Sequence, residues 1–452
     1  MLSRTSEIRS FPHSDVRSAA VDAVKFIPDD LACTIAGLNY LQTVPGKALT
    51  AAVTRRLAQE KTITVADVAL WRREHPEYAV PCAIAVSQCR LKGADKFPGK
   101  SNELWAVPEA LQQATSARVA AYKAQRIAEL AQPKIILDLC CGIGGDMLAL
   151  SHIAPVLAMD ISMVRVWMAH HNALVFPDKY RVMAVQGDLQ NFPVHLTSGI
   201  FVHIDPARRS DGKRNYDFSA THPAPGVLLR ILEKAYAGVI KLSPAVNFST
   251  LPTGHLELIS ENGTVVQALL WMGSVGTKLG ENKRTATVID RRTTWSICDS
   301  STDCAPPELH AYQPEKWLYE IDGAVTRSAL AVALAKALTL RWLSPDGGYM
   351  TGQQYLHHPA LAAFEVCDHF AYTESELFKK LKHACNNYPP AAGTIEVKTR
   401  GGLGLNTDEL QKKNVQNLPL RSHSPHLSLR TWKSLYHRPA MQRTHRRLII
   451  AK

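Results

Sequence analysis

From residue 135 onward the chain alternates short aliphatic runs with longer amphipathic or polar stretches. The runs are IILDLC (135–140), PVLAMD (155–160), RVMAVQGD (181–188), IFVHIDP (200–206) and GVIKLSP (238–244). Each is nearly continuous in Val, Ile, Leu and Met rather than alternating with polar residues. That is the pattern of strands buried on both faces, and the spacing between them leaves room for helices, so a parallel sheet covered on both sides is expected. LELISENGTVVQALLWM (256–272) places Asn-Gly between two strand-like runs, the strongest short hairpin signal, and RTATVID (284–290) offers a last strand. The fold class is therefore α/β with a Rossmann-like sheet.

Upstream the pattern changes. DDLACTIAGLNYLQTV and PGKALTAAVTRRLAQEKTITVADVALWRRE are Leu/Ala-rich and helical, with a short break at Pro45-Gly46. A second helical run, PEALQQATSARVAAYKAQRIAELAQP, opens on Pro108 and ends before Pro133, as first-turn and terminating prolines do. CDSSTDCAPPE (298–308) reads as a linker. These breaks divide the chain into an N-terminal helical region (1–106), a sheet domain (107–297) and a mixed α/β C-terminal domain (305–452). No internal repeat is visible.

Composition narrows the class. With 452 residues the chain is too long for one ordinary core. It is 46% hydrophobic and 20% charged, as soluble globular proteins are. No apolar run reaches the roughly 18 residues a membrane span needs. The opening MLSRTSEIRSFPHSD lacks the apolar core of a signal peptide, so a cytoplasmic protein is expected. Nine cysteines without a CxxC pair support neither a zinc ribbon nor a disulfide framework and suit a reducing compartment.

The net charge of +12 is concentrated. From Lys412 to Lys452 the chain carries ten Lys or Arg and no Asp or Glu; they include Lys412, Lys413, Arg421, Arg430, Lys433, Arg438, Arg443, Arg446 and Arg447. Trp432 and Tyr436 interleave with these cations. A solvated tail is the bland reading; a polyanionic partner, nucleic acid foremost, is the favoured one.

The chemistry centres on DLCCGIGGD (138–146), where an aliphatic run ends in a glycine-rich turn that opens a helix. Gly142, Gly144 and Gly145 let a ligand approach the backbone closely. The spacing is GxGG rather than the dinucleotide GxGxxG, and no Lys-Ser/Thr follows as a phosphate loop requires. Carboxylates then recur at the ends of successive strands: Asp138 and Asp146 flank the turn, Asp160 ends the second run, Asp188 the third and Asp205 the fourth. Open α/β sheets bind ligands outside the carboxyl ends of their strands, and Asp160, 22 residues after Asp138, suits a ribose. Acidic residues in register favour a cationic, nucleoside-bearing ligand without phosphates. Cys140 and Cys141 read as small buried residues at the mouth of the strand.

In these motifs the sequence resembles the class I S-adenosylmethionine-dependent methyltransferases, and within them a bacterial group carrying a THUMP-like C-terminal domain. DLCCGIGGD looks like the first cofactor motif, Asp160 with Ile161 the ribose site, GDL (Gly187 to Leu189) the adenine site and DPARR (205–209) the catalytic face. QATS (113–116), KLSP (241–244), EIDGAVTRSAL (320–330) and IEVKTRG (395–401) are similar to the same group. The resemblance implies a seven-stranded sheet and S-adenosylmethionine as cofactor. It implies a cofactor site made of Asp138, Cys140, Gly142, Gly144, Gly145, Asp146, Asp160, Ile161, Asp188 and Leu189. It further implies a THUMP-like domain that docks RNA.

The catalytic face is read from Asp205, Pro206 and Arg208. Exocyclic-amine methyltransferases use Asp/Asn-Pro-Pro-aromatic, and here Ala207 and Arg208 replace the last two. Arg208 could stack its planar guanidinium on a base or grip a phosphate. DPAR also looks like the motif of RNA uracil-C5 methyltransferases, which need a cysteine nucleophile after the fifth strand. KLSP supplies none. The expected activity is methyl transfer to RNA, ribosomal or transfer, at a nitrogen or hydroxyl without a covalent cysteine intermediate; the alternatives are a cofactor-binding, RNA-interacting module without turnover, or methylation of DNA or a small molecule.

Overall fold

The computed structural model describes residues 31–176, 179–192, 196–207, 209–210, 213–214, 217–299, 309–311, 313–343, 348–370, 379 and 447–451. The chain divides into two compact units, Met1–Asp205 and Pro206–Lys452.

The first unit opens with four helices, α1 (Leu31–Gln42), α2 (Val44–Glu60), α3 (Val65–Glu74) and α4 (Ala79–Lys92). The expected break at Pro45-Gly46 is a helix start: Pro45 lies in the first turn of α2, and the Thr43 side chain accepts from the Gly46 N–H. Proline is tolerated there because its missing N–H has no helical partner in any case. A second start follows at Thr64, whose capping box with Asp67 opens α3.

The single helical run expected over 108–132 is two helices, α5 (Pro108–Gln113) and α6 (Ala117–Ala131). The Ser116 side chain accepts from the Val119 N–H and caps α6, so QATS is a break rather than helix interior.

The sheet of this unit is parallel. β1 (Ile135–Leu139) lies between β4 (Ile200–Ile204) and β2 (Val156–Asp160), and β3 (Val182–Gln186) lies outside β2. In register, Asp138 faces His203 across β1 and β4, and Ala158 across β1 and β2. Helices α7 (Gly145–Leu150) and α8 (Met163–Val175) follow β1 and β2. The core of α1–α4 runs on into the sheet layer, because Leu38, Val53, Ile84 and Leu104 share one apolar cluster with Ile143 and Met168.

In the second unit β5 (Arg209–Ser210) and β6 (Lys213–Arg214) pair with each other as a two-stranded sheet, and a larger set of strands comprises β7 (Ala237–Leu242), β8 (His255–Glu261), β9 (Thr264–Met272), β10 (Arg284–Ile289) and β11 (Thr294–Asp299). β9 is antiparallel between β7 and β8, β10 runs parallel to β8, and β11 closes a hairpin on β10. The Asn262-Gly263 turn has positive φ at both residues, 51° and 78°, as its sequence predicts.

The expected count of seven strands is exceeded, since four such strands lie in the first unit and five in the second among the described residues. The runs read from the sequence account for eight of these nine strands, and the one they missed is β11. Asp290 accepts the backbone N–H groups of Arg292 and Thr293 at 2.6 and 2.7 Å, which folds the chain back onto β10. β11 also runs to Asp299 and so takes the first two residues of the expected linker.

A second sheet of this unit has the order β13-β14-β12-β15-β16, formed by β12 (Trp317–Ile321), β13 (Arg341–Trp342), β14 (Tyr349–Gly352), β15 (Leu361–Phe370) and β16 (Arg447–Ala451). Helices α9 (Pro225–Lys234), α10 (Gly273–Leu279), α11 (Gly323–Arg327) and α12 (Ala331–Leu338) complete the unit.

Candidate cofactor site and the family

The site is built on the turn between β1 and α7. Its glycine logic is more regular than the sequence suggests. Cys140, Gly142 and Gly144 have φ of 61°, 58° and 89°, so alternate residues lie in the left-handed region. A cysteine there bears a steric cost that glycine would not. Around Gly142 no atom lies within 4 Å of where a Cβ would stand, so a side chain would enter open space in front of the turn. Gly145 serves another purpose: a Cβ there would come within 3.2 Å of the Thr115 backbone, so its absence lets α7 approach the α5–α6 junction.

Asp160 latches the turn. It is 4% exposed; one carboxylate oxygen accepts the Gly142 N–H at 3.0 Å and the other the Ser162 N–H at 2.9 Å. Two carboxylate oxygens offer about four acceptor positions, so the latch leaves capacity for ribose hydroxyls. The next side chain, Ile161, is 58% exposed despite being apolar, which suits the face of a flat heterocycle. Asp205 follows β4, its N–H donating to the Leu139 carbonyl at 3.0 Å, level with the start of the turn. Burial first, and then the charges of Asp160, Asp205 and Asp138, push the Cys140 thiol well above its ordinary range. Three of the carboxylates read from the sequence thus converge on one side chain. Cys141 is likewise held protonated by burial, so neither thiol supplies a nucleophilic thiolate. Among the described residues no cluster of His, Cys, Asp or Glu could hold a metal ion.

Asp138 and Asp146 take a different role from the one expected of cofactor ligands. Asp138 is fully buried and its Oδ1 pairs with His203 Nδ1 at 2.7 Å. Its Oδ2 is buried without a hydrogen-bond partner among the described residues. Asp146 accepts from the Thr115 hydroxyl at 2.8 Å and pairs with Lys123 Nζ at 2.6 Å. Lys123 also reaches His203 Nε2 at 3.3 Å, and both side chains are fully buried.

An ammonium can only donate, so Nε2 accepts and the hydrogen on Nδ1 donates to Asp138. The result is a continuous buried chain, Thr115–Asp146–Lys123–His203–Asp138, beneath the turn. Burial raises the Asp138 carboxyl above its ordinary value against the opposing pull of His203. These two aspartates are taken up by side chains beneath the turn, while Asp160 and the exposed Ile161 stand at its edge beside the open space at Gly142.

The remaining assignments separate. Asp188 caps the short helical turn Leu189–Asn191 by accepting the Gln190 N–H at 2.9 Å. Leu189 is 5% exposed and belongs to the core. Pro206 is buried, and Ala207 exchanges backbone hydrogen bonds with His222 at 2.8 and 2.9 Å. Arg208 lies outside the described residues, as do the tail cations Lys412 to Arg446; of Arg447 the backbone alone is described, in β16.

Sequence reading passed over Thr115, Lys123, His203 and Asn172. The signal for two of them was a lone polar residue in an apolar setting, His203 within IFVHI and Lys123 on the buried face of α6. Asn172 is buried in α8; its amide donates to the carbonyls of Trp105 and Ile143 and accepts the Trp105 N–H, all within 2.9 Å. It ties the segment after the helical region to the cofactor turn.

Residues 133–249 match the family model described as RNA cap guanine-N2 methyltransferase. Two Mycobacterium tuberculosis proteins (strains CDC 1551 and H37Rv), both named as uncharacterized S-adenosylmethionine-dependent methyltransferases, are each 31% identical over 327 residues. The match covers 70% of this chain and 81% of theirs. Trimethylguanosine synthase of Schizosaccharomyces pombe is 28% identical over 87 residues, 19% of this chain and 36% of that one. A Porphyromonas gingivalis W83 protein, its crystal structure known under a methyltransferase name, shares the fold with a TM-score of 0.63 at 18% identity. That match covers 82% of this chain and 92% of its own.

The site agrees with the family's cofactor, for it offers a cradle that a Cβ would fill, an acidic latch beside it, an exposed apolar shelf and no phosphate-gripping cation among the turn residues. The chain belongs to the S-adenosylmethionine-dependent methyltransferases, and S-adenosylmethionine is its cofactor.

Proposed function

We propose that this enzyme methylates RNA at a nitrogen acceptor. The observation that supports it most is the match of residues 133–249 to the RNA cap guanine-N2 family, because that span holds the turn, Asp160 and Asp205-Pro206. The short likeness to trimethylguanosine synthase points the same way.

The bound cofactor supplies an electrophilic methyl group on a sulfonium. Gly142, Gly144, Asp160 and Ile161 hold it, with Asp188 at the adenine end, while the Thr115-to-Asp138 chain keeps the turn rigid. Asp205 and the Pro206 carbonyl accept hydrogen bonds from the acceptor amine, direct its lone pair and stabilise the charge that develops on it. Proline removes a backbone donor at that point and leaves two acceptors side by side.

The three-part division 1–106, 107–297 and 305–452 belongs to the same reading. The five-stranded sheet with α11 and α12 gives the C-terminal part an α/β body compatible with a THUMP-like domain. The free cysteines Cys82, Cys89, Cys140, Cys141 and Cys298 suit a reducing, cytoplasmic setting. The basic tail, with ten cations from Lys412 to Lys452, contacts phosphates. If about five of them do so on a single strand, the log–log salt slope of RNA binding approaches −3.5. A chain ending at Gln411 loses that slope and keeps its affinity for S-adenosylhomocysteine.

The deciding experiment is incubation of the protein with methyl-labelled cofactor and fractionated cellular RNA, followed by nucleoside analysis. Label on a nucleobase nitrogen is expected. Label confined to DNA or small molecules, or absent from every fraction, overturns the proposal.

A further inference from the structure

The loop after β7, residues 243–250, carries a feature that the methyl-transfer site does not use. Phe248, half-buried in the short turn Phe248–Thr250, has two guanidinium groups against its ring. The Arg284 carbon lies 5.3 Å and the Arg327 carbon 5.2 Å from the ring centroid.

Each arginine is aimed by the backbone. Arg327, at the end of α11, donates to the Val246 carbonyl at 3.0 Å, and Arg284, at the start of β10, to the Ser328 carbonyl at 3.4 Å. Three segments distant in sequence thus present two cations around one aromatic ring. Among the described residues no carboxylate lies within 4 Å of either guanidinium.

Cation–π contacts and single hydrogen bonds hold such groups without cancelling their charge. Each guanidinium has five N–H donors and spends one on the contacts named, so most of the fork remains for an anion. Asn247 of the same loop is exposed and its amide N–H groups suit a phosphodiester, while the Ser249 and Thr250 hydroxyls donate to the Asn247 side chain and carbonyl and hold it in place.

We infer that Arg284 and Arg327, organised by Phe248, form a phosphate clamp for a single-stranded stretch of the RNA substrate, a contact distinct from the basic tail. This rests on the RNA reading above. An unpaired strand is favoured because two fixed forks beside one loop match consecutive phosphates of a chain that can bend to meet them.

The test uses the full chain and a fluorescein-labelled unpaired RNA of about 16 nucleotides, followed by anisotropy across a potassium chloride series. Loss of two phosphate contacts should make the log–log slope of the R284Q/R327Q double variant shallower by about 1.4. Affinity at low salt should fall at least about tenfold. Its affinity for S-adenosylhomocysteine should match the wild type.

The R284K/R327K variant separates charge from architecture. It should recover most of the slope, whereas a loss equal to that of the glutamine variant would mark the arginines as scaffolding and overturn the clamp. An unchanged slope in R284Q/R327Q alongside tight wild-type binding overturns the clamp and leaves the RNA reading standing. No wild-type binding of RNA overturns both, and tighter binding of the same sequence as DNA overturns RNA as the occupant.

Discussion

The turn after β1 and the loop after β7 both leave the carboxyl end of a strand, yet their electrostatics are opposite. The first is bordered by Asp138, Asp146, Asp160 and Asp205, and its balancing cation, Lys123, is fully buried. The second presents Arg284 and Arg327 without a carboxylate partner among the described residues. A cationic sulfonium nucleoside suits the first and a polyanion the second. The contrast also runs through rigidity. Both are secured by side chains that accept backbone N–H groups, Asp160 in the acidic turn and Ser243 and Asn247 in the basic loop, but the basic loop adds a cation, Arg327, that donates to its Val246 carbonyl.

Five substitutions, the last followed across pH, would break or sharpen that comparison. The largest effect is expected from Lys123→Met. It strips the ammonium from a fully buried chain and strands Asp146 and His203, a loss of about 3–5 kcal/mol in folding stability. Denaturant unfolding of the variant measures it, and a loss below 1 kcal/mol would mean that the buried chain is not what steadies the turn.

Asp160→Ala comes next. It removes both latches and the proposed ribose acceptor, at about 1.5–3 kcal/mol for each charged hydrogen bond. Calorimetry with S-adenosylhomocysteine should show the affinity falling by at least tenfold; near wild-type binding would break the cofactor assignment.

Asp205→Ala should spare the cofactor and cost about 10²-fold in turnover, through lost positioning and proton acceptance. Single-turnover rates normalised to the folded fraction distinguish this from a mere cap, which would leave activity per folded molecule intact.

Cys140→Gly sharpens the acidic side by relieving its backbone. An L-residue with φ near 61° is disfavoured by roughly 1–2 kcal/mol. Glycine returns part of that gain as unfolded-chain entropy, so a net stabilisation of about 0.5–1 kcal/mol is expected. A thermal-shift measurement would show it as a rise in Tm, and a fall would mean that the thiol packing outweighs the strain.

The smallest effect concerns Asp138. Its carboxyl is raised in the folded protein above the ordinary 3.8, so between those two values the native state binds more protons than the unfolded chain. Its contribution to stability is therefore present in full below the unfolded value and lost as pH rises through the folded one. Asp138→Asn keeps the hydrogen bond to His203 and cannot ionise. Urea unfolding of both proteins at several pH values should show the wild type losing ground to the variant as pH increases across that window. A constant difference would assign the buried oxygen no role in titration.

Much of the architecture was legible in the chain, and the reason differs by element. β1, β2, β4, β7, the Asn262-Gly263 hairpin and β10 are buried runs bounded by turn residues, so local pattern and burial agree; β3 has the same pattern but lies outside β2 with Met183 49% exposed, so its strand was legible and its burial was not. β11 escaped because TWSICD alternates half-buried and exposed positions beside a polar stretch, and it exists through the Asp290 turn and its pairing with β10. The helix break at QATS was hidden because Ala, Thr and Ser do not forbid a helix; Ser116 becomes a cap once Thr115 turns to meet Asp146.

The carboxylates illustrate the division best. Residue type and spacing alone determined that acidic groups would stand at successive strand ends beside a glycine-rich turn, and hence that the ligand would be a nucleoside without phosphates. Which acids face the ligand was decided in three dimensions. Asp138 and Asp146 are claimed by His203, Lys123 and Thr115, residues 23 to 65 positions away, and Asp160 is pinned by an amide 18 positions earlier. Local sequence sets backbone preference and burial, because those act over a few residues. The partners of a buried charge are set by packing, since only the assembled fold brings together groups that must neutralise one another out of water.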